Sequence, residues 1–353
     1  MLHRLNGPQT LGNGRIFWVC TILVLFAALI FPIFADPYDV GNFAYFLIWV
    51  FMALGLCLMW GYGGMLSFGQ TFFFGIGGYA YGVLSVDLGN AHGLALGNFA
   101  MAVALAAAAA AVLGYVMIYG RIGGVFFGIV TLSVTLALAF FLGQTAGPEW
   151  AIGKARLNGF NGMQGMAPLS LPWFTRDIDL EETPLYYFVL VLLVGSYLTL
   201  RILVNGRFGN VLVALREDPQ RTELLGYDIR RFQFGAFVVG SMLAAVSGVL
   251  YTAWGQFITP SSIGLPAAAM PIVWVAFSGR SDLTAVLVGT FVLLAIFQTL
   301  TIYSEQAALI LMGLILILTV MFAPQGLFVS LARLLPRRHA RTPALHARST
   351  EAG

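Results

Sequence analysis

Long apolar runs separated by short polar clusters set the rhythm of this chain. A helix crossing a bilayer needs about 20 predominantly apolar residues. On that measure the pattern predicts ten spans, at 16–35, 41–60, 66–86, 94–119, 123–142, 185–204, 232–252, 266–278, 283–303 and 306–323. The predicted fold is all-α, a polytopic membrane protein of about ten transmembrane helices. The eighth run is short and carries Pro266 and Pro271, so it reads as broken or only partly crossing. Between the runs, one long interruption spans 143–184 and a charged one spans 205–231. From Phe232 to Gly279 there is no Asp, Glu, Lys or Arg.

Composition agrees with the pattern. Of the 353 residues, 59% are hydrophobic and 9% charged, against roughly 25% charged in a soluble domain. The mean hydropathy is +0.87. A net charge of +3, spread over loops, does not suggest nucleic acid as a partner. Cys20 and Cys57 fall inside apolar runs and read as small buried hydrophobes. His3, His92, His339 and His346 have no ligand-like spacing, so no metal site is expected. The first run, Ile16–Phe34, is long enough to span and no small-x-small cleavage site follows it, so no cleaved signal peptide is expected.

Loop cations orient the chain. With the N-terminus placed in the cytoplasm, only Lys154, Arg156 and Arg176 of the 18 lysines and arginines fall outside. Both termini then come out cytoplasmic, in an inner membrane. The expected organisation is a cytoplasmic segment 1–15, a membrane domain 16–331 and a basic, disordered tail 332–353 close to anionic lipid. The outside loop 143–184, rich in Gly, Pro and Asn, reads as exposed and irregular.

Four stretches stand out chemically. In Asn205–Arg231 a charged island lies between apolar spans and must face water. Phe208, Val211, Leu212 and Leu215 recur as one helical stripe. Asp218 suits an N-cap, Pro219 the first helical position and Gly226 the position after the last turn. Two short helices follow, Arg207–Arg216 and Pro219–Leu225. A mere connector would need neither caps nor stripe, so this loop reads as a docking surface. Its candidate residues are Arg207, Leu212, Leu215, Arg216, Glu217, Asp218, Arg221, Glu223, Leu225 and Gly226.

Gly61–Gly78 holds seven glycines in eighteen residues together with Ser67, Gln70 and Thr71. Glycine costs roughly 1 kcal/mol in a helix interior relative to alanine. Either helices pack tightly here, or a broken or re-entrant segment lines a path through the membrane. Ser67, Gln70, Thr71 and Gly75 are the candidate path residues. Ser278–Asp282 makes a polar turn, in which Arg280 and Asp282 either pair with each other or contact a partner. Thr145–Gly165 contains Gly153-Lys154, but the spacing fails the phosphate-loop pattern and Ala155 replaces the hydroxyl. No carboxylate or histidine lies mid-span and nothing supplies a nucleophile beside a base, so no catalytic residue is assigned and an enzyme is not expected. A proton relay is missing too, which argues against proton-coupled transport.

Several of these stretches resemble the permease subunit of branched-chain (LIV-type) amino acid ABC importers, a family that also includes urea and short-amide permeases. They are GYGGMLSFGQTFFFGIGGYA (61–80), NGFNGMQGM (158–166), the block 207–251, PIVWVAFSGRSDL (271–283) and FAPQGLF (322–328). The resemblance covers most of 45–328, and the 207–251 block is its most specific part. It implies a second related permease chain, two cytoplasmic ABC ATPases carrying the ATP and Mg²⁺, and a periplasmic substrate-binding protein. No cofactor would be bound by this chain itself. Arg207–Gly226 would be the coupling element seated in an ATPase. Two departures are Pro219, where the family often continues its helix, and the extension GPEWAIGKARL (147–157) of the outer loop. The alternatives are a urea or short-amide importer and, in another class, a self-contained passive channel for small neutral solutes.

Overall fold

The computed structural model describes residues 5–7, 9, 10, 12, 14–90, 93–173, 176–323 and 325–334. The expected tail beyond 334, residues 1–4 and all four histidines lie outside the described residues. Every expected span contains a helix. In chain order they are α1 (Arg15–Phe34), α2 (Pro37–Leu56), α3 (Gln70–Leu88), α4 (Leu94–Tyr119), α5 (Val125–Gly143), α6 (Glu182–Val204), the short α7 (Arg207–Glu217) and α8 (Pro219–Leu224), then α9 (Ile229–Gly255), α10 (Leu265–Ser278), α11 (Leu283–Thr301), α12 (Glu305–Phe322) and α13 (Leu327–Leu334). Among the described residues, nine helices are long and apolar enough to cross a membrane. The chain is an all-α polytopic membrane protein.

The one expected span missing from those nine is α3. Gln70, Thr71, four glycines and Asp87 lower its hydropathy, yet most of its residues are buried by the other helices. A helix enclosed by protein need not be apolar on every face, because it has no lipid to meet. The glycine-rich stretch is both broken and closely packed. α2 runs on into a π-helical turn, Cys57–Tyr62. The chain then leaves helical geometry until α3 begins at Gln70. Beyond that break its glycines serve packing, Gly77 against the Ala245 carbonyl and Gly78 against the Gly248 carbonyl, and α9 returns the contact with glycines of its own. A Cβ on Gly248 of α9 would collide with the Phe74 carbonyl of α3, and one on Gly240 would press on the Gly55 carbonyl of α2. α9 is thus the central element, with α2 and α3 held against it at backbone distance.

α10 has 14 residues, about 21 Å at 1.5 Å per residue, too short to cross about 30 Å of hydrocarbon alone. A 3-10 turn, Pro260–Ser262, precedes it, and Pro271 sits inside it, as its prolines suggested.

The long loop is more ordered than its composition suggested. β1 (Ala151–Ile152) pairs with β2 (Ala155–Arg156), and β4 (Ser170–Trp173) with β5 (Arg176–Asp179). β3 (Met163–Gln164) pairs with β6 (Phe257–Ile258), just after α9. Leu157, Met163, Leu169 and Leu180 are buried beneath these ribbons. Those four apolar anchors, spaced through a polar stretch, carry no helical or strand period of their own.

Candidate functional site

The charged loop folds as its caps predict. α7 ends at Glu217, Asp218 breaks the helix, and its Oδ1 accepts from the Arg221 N–H at 3.0 Å to start α8. The same carboxylate meets Arg221 Nε at 2.9 Å. Gly226 then takes φ +86°, the left-handed conformation that closes a helix and suits glycine. Asp228 repeats the device for α9, accepting from the Arg231 N–H and pairing with its guanidinium at 2.8 Å.

The apolar stripe turns inward. Val211, Leu212 and Leu215 are buried in the bundle, and Phe208 packs on Phe232 of α9 with ring centroids 5.6 Å apart. Leu212 and Leu215 therefore hold the loop to its own chain and present nothing to a partner. The outward surface is different: Arg207, Glu217, Arg221, Glu223, Leu225 and Gly226 are exposed. Leu224 and Leu225 are 88% and 76% exposed. Leu224 was not among the residues the sequence singled out. Its signal was present, as an apolar pair inside a polar segment and off the helical stripe.

Arg216 reaches the other way. Its guanidinium donates to the Gly61 carbonyl and pairs with Glu217. Gly61 lies at the end of the π-helical turn, one residue before Tyr62 closes it and the break that leads to Gln70 begins. The Ser278–Asp282 turn arrives at the same place: the Cys57 thiol lies 3.4 Å from the Arg280 carbonyl, and the Arg280 guanidinium stands 5.4 Å above the Trp60 ring. Asp282 is buried and caps α11, accepting from the Ala285 N–H at 2.8 Å. Three of the four stretches singled out from sequence converge on the turn Cys57–Tyr62.

The candidate path residues follow that turn and are all buried. Ser67 Oγ accepts from the Gly69 N–H at 3.0 Å, and Thr71 donates to the Ile263 carbonyl at 3.3 Å. Gln70 Nε2 lies 3.0 Å from Met59 Sδ, while its Oε1 has no partner among the described residues. Gly75 backs onto Ile263 and Leu138. Thr131 and Thr135 of α5 bind the broken backbone, at the Phe68 N–H (3.1 Å) and the Phe68 carbonyl (3.3 Å). Both threonines escaped the sequence reading, because mid-span hydroxyls usually bond their own helix. Between α2, α3, α9 and α10, Trp49 stacks on Phe74 at 4.9 Å and meets Tyr251 and Trp274.

Arg201 is the largest departure from expectation. Counted among the loop cations, it is fully buried. Its guanidinium donates to the Leu5 and Gly12 carbonyls and to the Tyr197 hydroxyl, and it stacks over Phe17. Beside it, Asn205 Oδ1 accepts from the Gln9 N–H, and the Tyr62 hydroxyl donates to the Gln9 carbonyl. The N-terminal segment is thereby tied to the root of the charged loop and to the π-helical turn.

The described chain is a helical membrane bundle with an enclosed broken helix and a capped polar loop. Residues 40–320 match the model of the family described as the permease component of branched-chain amino acid transport systems. The chain belongs to that family, the LIV-type ABC permeases. It is 27% identical over 323 residues to the high-affinity branched-chain amino acid transport system permease protein LivM of Escherichia coli, covering 88% of this chain and 74% of that protein. The LivM permease of Salmonella typhimurium is 26% identical, with the same coverage of each chain. A probable LivM of Methanocaldococcus jannaschii is 24% identical over 169 residues, covering 44% of this chain and 47% of that protein. No solved structure matches the chain significantly.

Proposed function

We propose that this chain is the permease subunit of an ATP-driven importer that moves branched-chain amino acids, or a similar small solute, across a bacterial inner membrane. Both termini and the loop 205–231 face the cytoplasm in this reading. The permease names of the relatives and the balance of loop cations support it. The partners are a second related permease, two cytoplasmic ABC ATPases and a periplasmic binding protein. ATP and Mg²⁺ belong to the ATPases, and this chain binds no cofactor.

One observation carries the mechanism: the loop exposes Leu224 and Leu225 outward while Arg216 grips Gly61 inward. Exposed leucines on a rigid, capped element suit an apolar groove in an ATPase. Movement of that groove pulls α7, and α7 pulls the turn from which the broken segment starts. Direction comes from the different affinity of substrate for the outward- and inward-facing states. Ser67, Gln70, Thr71 and Gly75 lie along the element so moved, and Gln70 Oε1 offers an acceptor to a polar solute. Arg280 and Asp282 brace the same turn.

The test reverses charges on the outward surface, Glu217→Arg and Arg221→Glu. With partners co-expressed in proteoliposomes, both variants insert while ATP-driven leucine uptake falls to background. Undiminished uptake would sink the docking role. Solute flux without any ATPase would point instead to a channel.

A further inference from the structure

A cavity of about 450 Å³ opens between the glycine-rich break, the turn after α4, α7 and the start of α9. Arg121, Arg216 and Arg230 line it, against one carboxylate, Glu223. Arg216 is engaged with Glu217 and Gly61. Arg121 and Arg230 form no ion pair among the described residues. Two unpaired guanidinium groups therefore line one half-open cavity. Gly123 and Gly124 form another wall, where α5 begins with neither a side-chain cap nor an acid in its first turn. The backbone end adds positive potential to the two guanidiniums. The cavity asks for an anion.

Its remaining lining says which kind. Met65, Ile118 and Phe127 give it an apolar floor. The next residues of α5, Val125 and Phe126, are 78% and 72% exposed and lead straight onto a span that meets hydrocarbon. A small soluble anion would leave that floor unfilled. An acidic side chain from an ATPase would do the same. The loop's outward leucine Leu225 lines a separate cavity with Arg207 and Val211.

We infer that Arg121 and Arg230 clamp the phosphodiester headgroup of an anionic phospholipid of the cytoplasmic leaflet. The glycerol and first methylenes of the lipid lie on Met65, Ile118 and Phe127. This rests on the orientation proposed above. The lipid would bridge the α4–α5 turn to α7 and α9, so its occupancy would stiffen the seat of the coupling loop.

The experiment uses the full chain with co-expressed partner subunits, in nanodiscs containing phosphatidylglycerol and phosphatidylcholine, with bound lipid counted after extraction. The expected result is retention of phosphatidylglycerol over phosphatidylcholine by roughly 30-fold, from two arginines near the surface. Arg121→Gln with Arg230→Gln removes most of that preference, whereas Arg121→Lys with Arg230→Lys keeps most of it and shows that the bundle is intact. Three outcomes overturn the proposal. One is an unchanged preference in the Gln pair. Another is displacement of the lipid by millimolar inorganic phosphate, which assigns the site to a free anion. The third is an unchanged preference with loss of the ATPase, which gives the arginines to the partner. A failure of any of these kinds leaves the uptake test of the coupling loop standing.

Discussion

Arg216 of α7 donates a hydrogen bond to the main-chain carbonyl of Gly61, which stands 155 positions earlier in the chain. One residue thus joins the loop proposed to meet the ATPase to the turn from which the broken helix departs. A carbonyl takes this donor without gaining or losing a proton, so the link holds in every state that keeps the two backbones in place.

Removing the link should separate docking from transport. A charged hydrogen bond contributes about 1.5–3 kcal/mol, and Arg216→Met removes it while keeping part of the stem's packing. The expected outcome is normal recovery of ATPase with the membrane subunits and a tenfold or greater fall in uptake per ATP hydrolysed. Paired uptake and phosphate-release assays read it directly. Uptake and hydrolysis falling in proportion would mean that Arg216 merely supports folding.

Leu224 and Leu225 should behave in the opposite way. Burying a leucine side chain contributes about 1.5–3 kcal/mol. Leu224→Asp or Leu225→Asp should therefore weaken ATPase association by about 10- to 100-fold. Stability of the isolated chain should not change, since neither side chain is covered. Titration of ATPase onto nanodiscs measures the first and thermal aggregation the second.

Arg201 predicts an effect at a distance. Its donors serve the part-buried carbonyls of Leu5 and Gly12, so Arg201→Met leaves both acceptors without a donor, at up to about 1–3 kcal/mol each. The N-terminal segment should become open to protease before the bundle itself unfolds. Arg201→Lys should rescue only in part, because an ammonium cannot reproduce the planar fork. Limited proteolysis with N-terminal sequencing gives the order of events.

Gly248→Leu tests the contact between α9 and α3. The added side chain has nowhere to go but into the Phe74 backbone, and overpacking of this kind typically costs about 1–3 kcal/mol. Helix separation should lower the yield of monodisperse protein in detergent. An unaffected yield would show that the two helices stand further apart than described.

Much of this protein is legible along the chain, because the features concerned are local. Each of the ten apolar runs became a helix, and Asp218, Pro219 and Gly226 placed the ends of α7 and α8 by backbone chemistry within a few residues. The glycines around Gly61 announced a break for the same reason. Which side each residue faces was decided elsewhere. Leu212 and Leu215 turn inward because α9 lies beneath them, leaving Leu224 and Leu225 to face out. Arg201 is buried because an N-terminal segment nearly 200 residues away folds over it and satisfies its donors. Gln70 and Thr71 are enclosed because α9, α2 and α10 close around α3 at glycine contacts. Periodicity and capping act through neighbours in sequence, so the sequence states them outright. Burial and pairing act through neighbours in space, and only the packed chain says who those are.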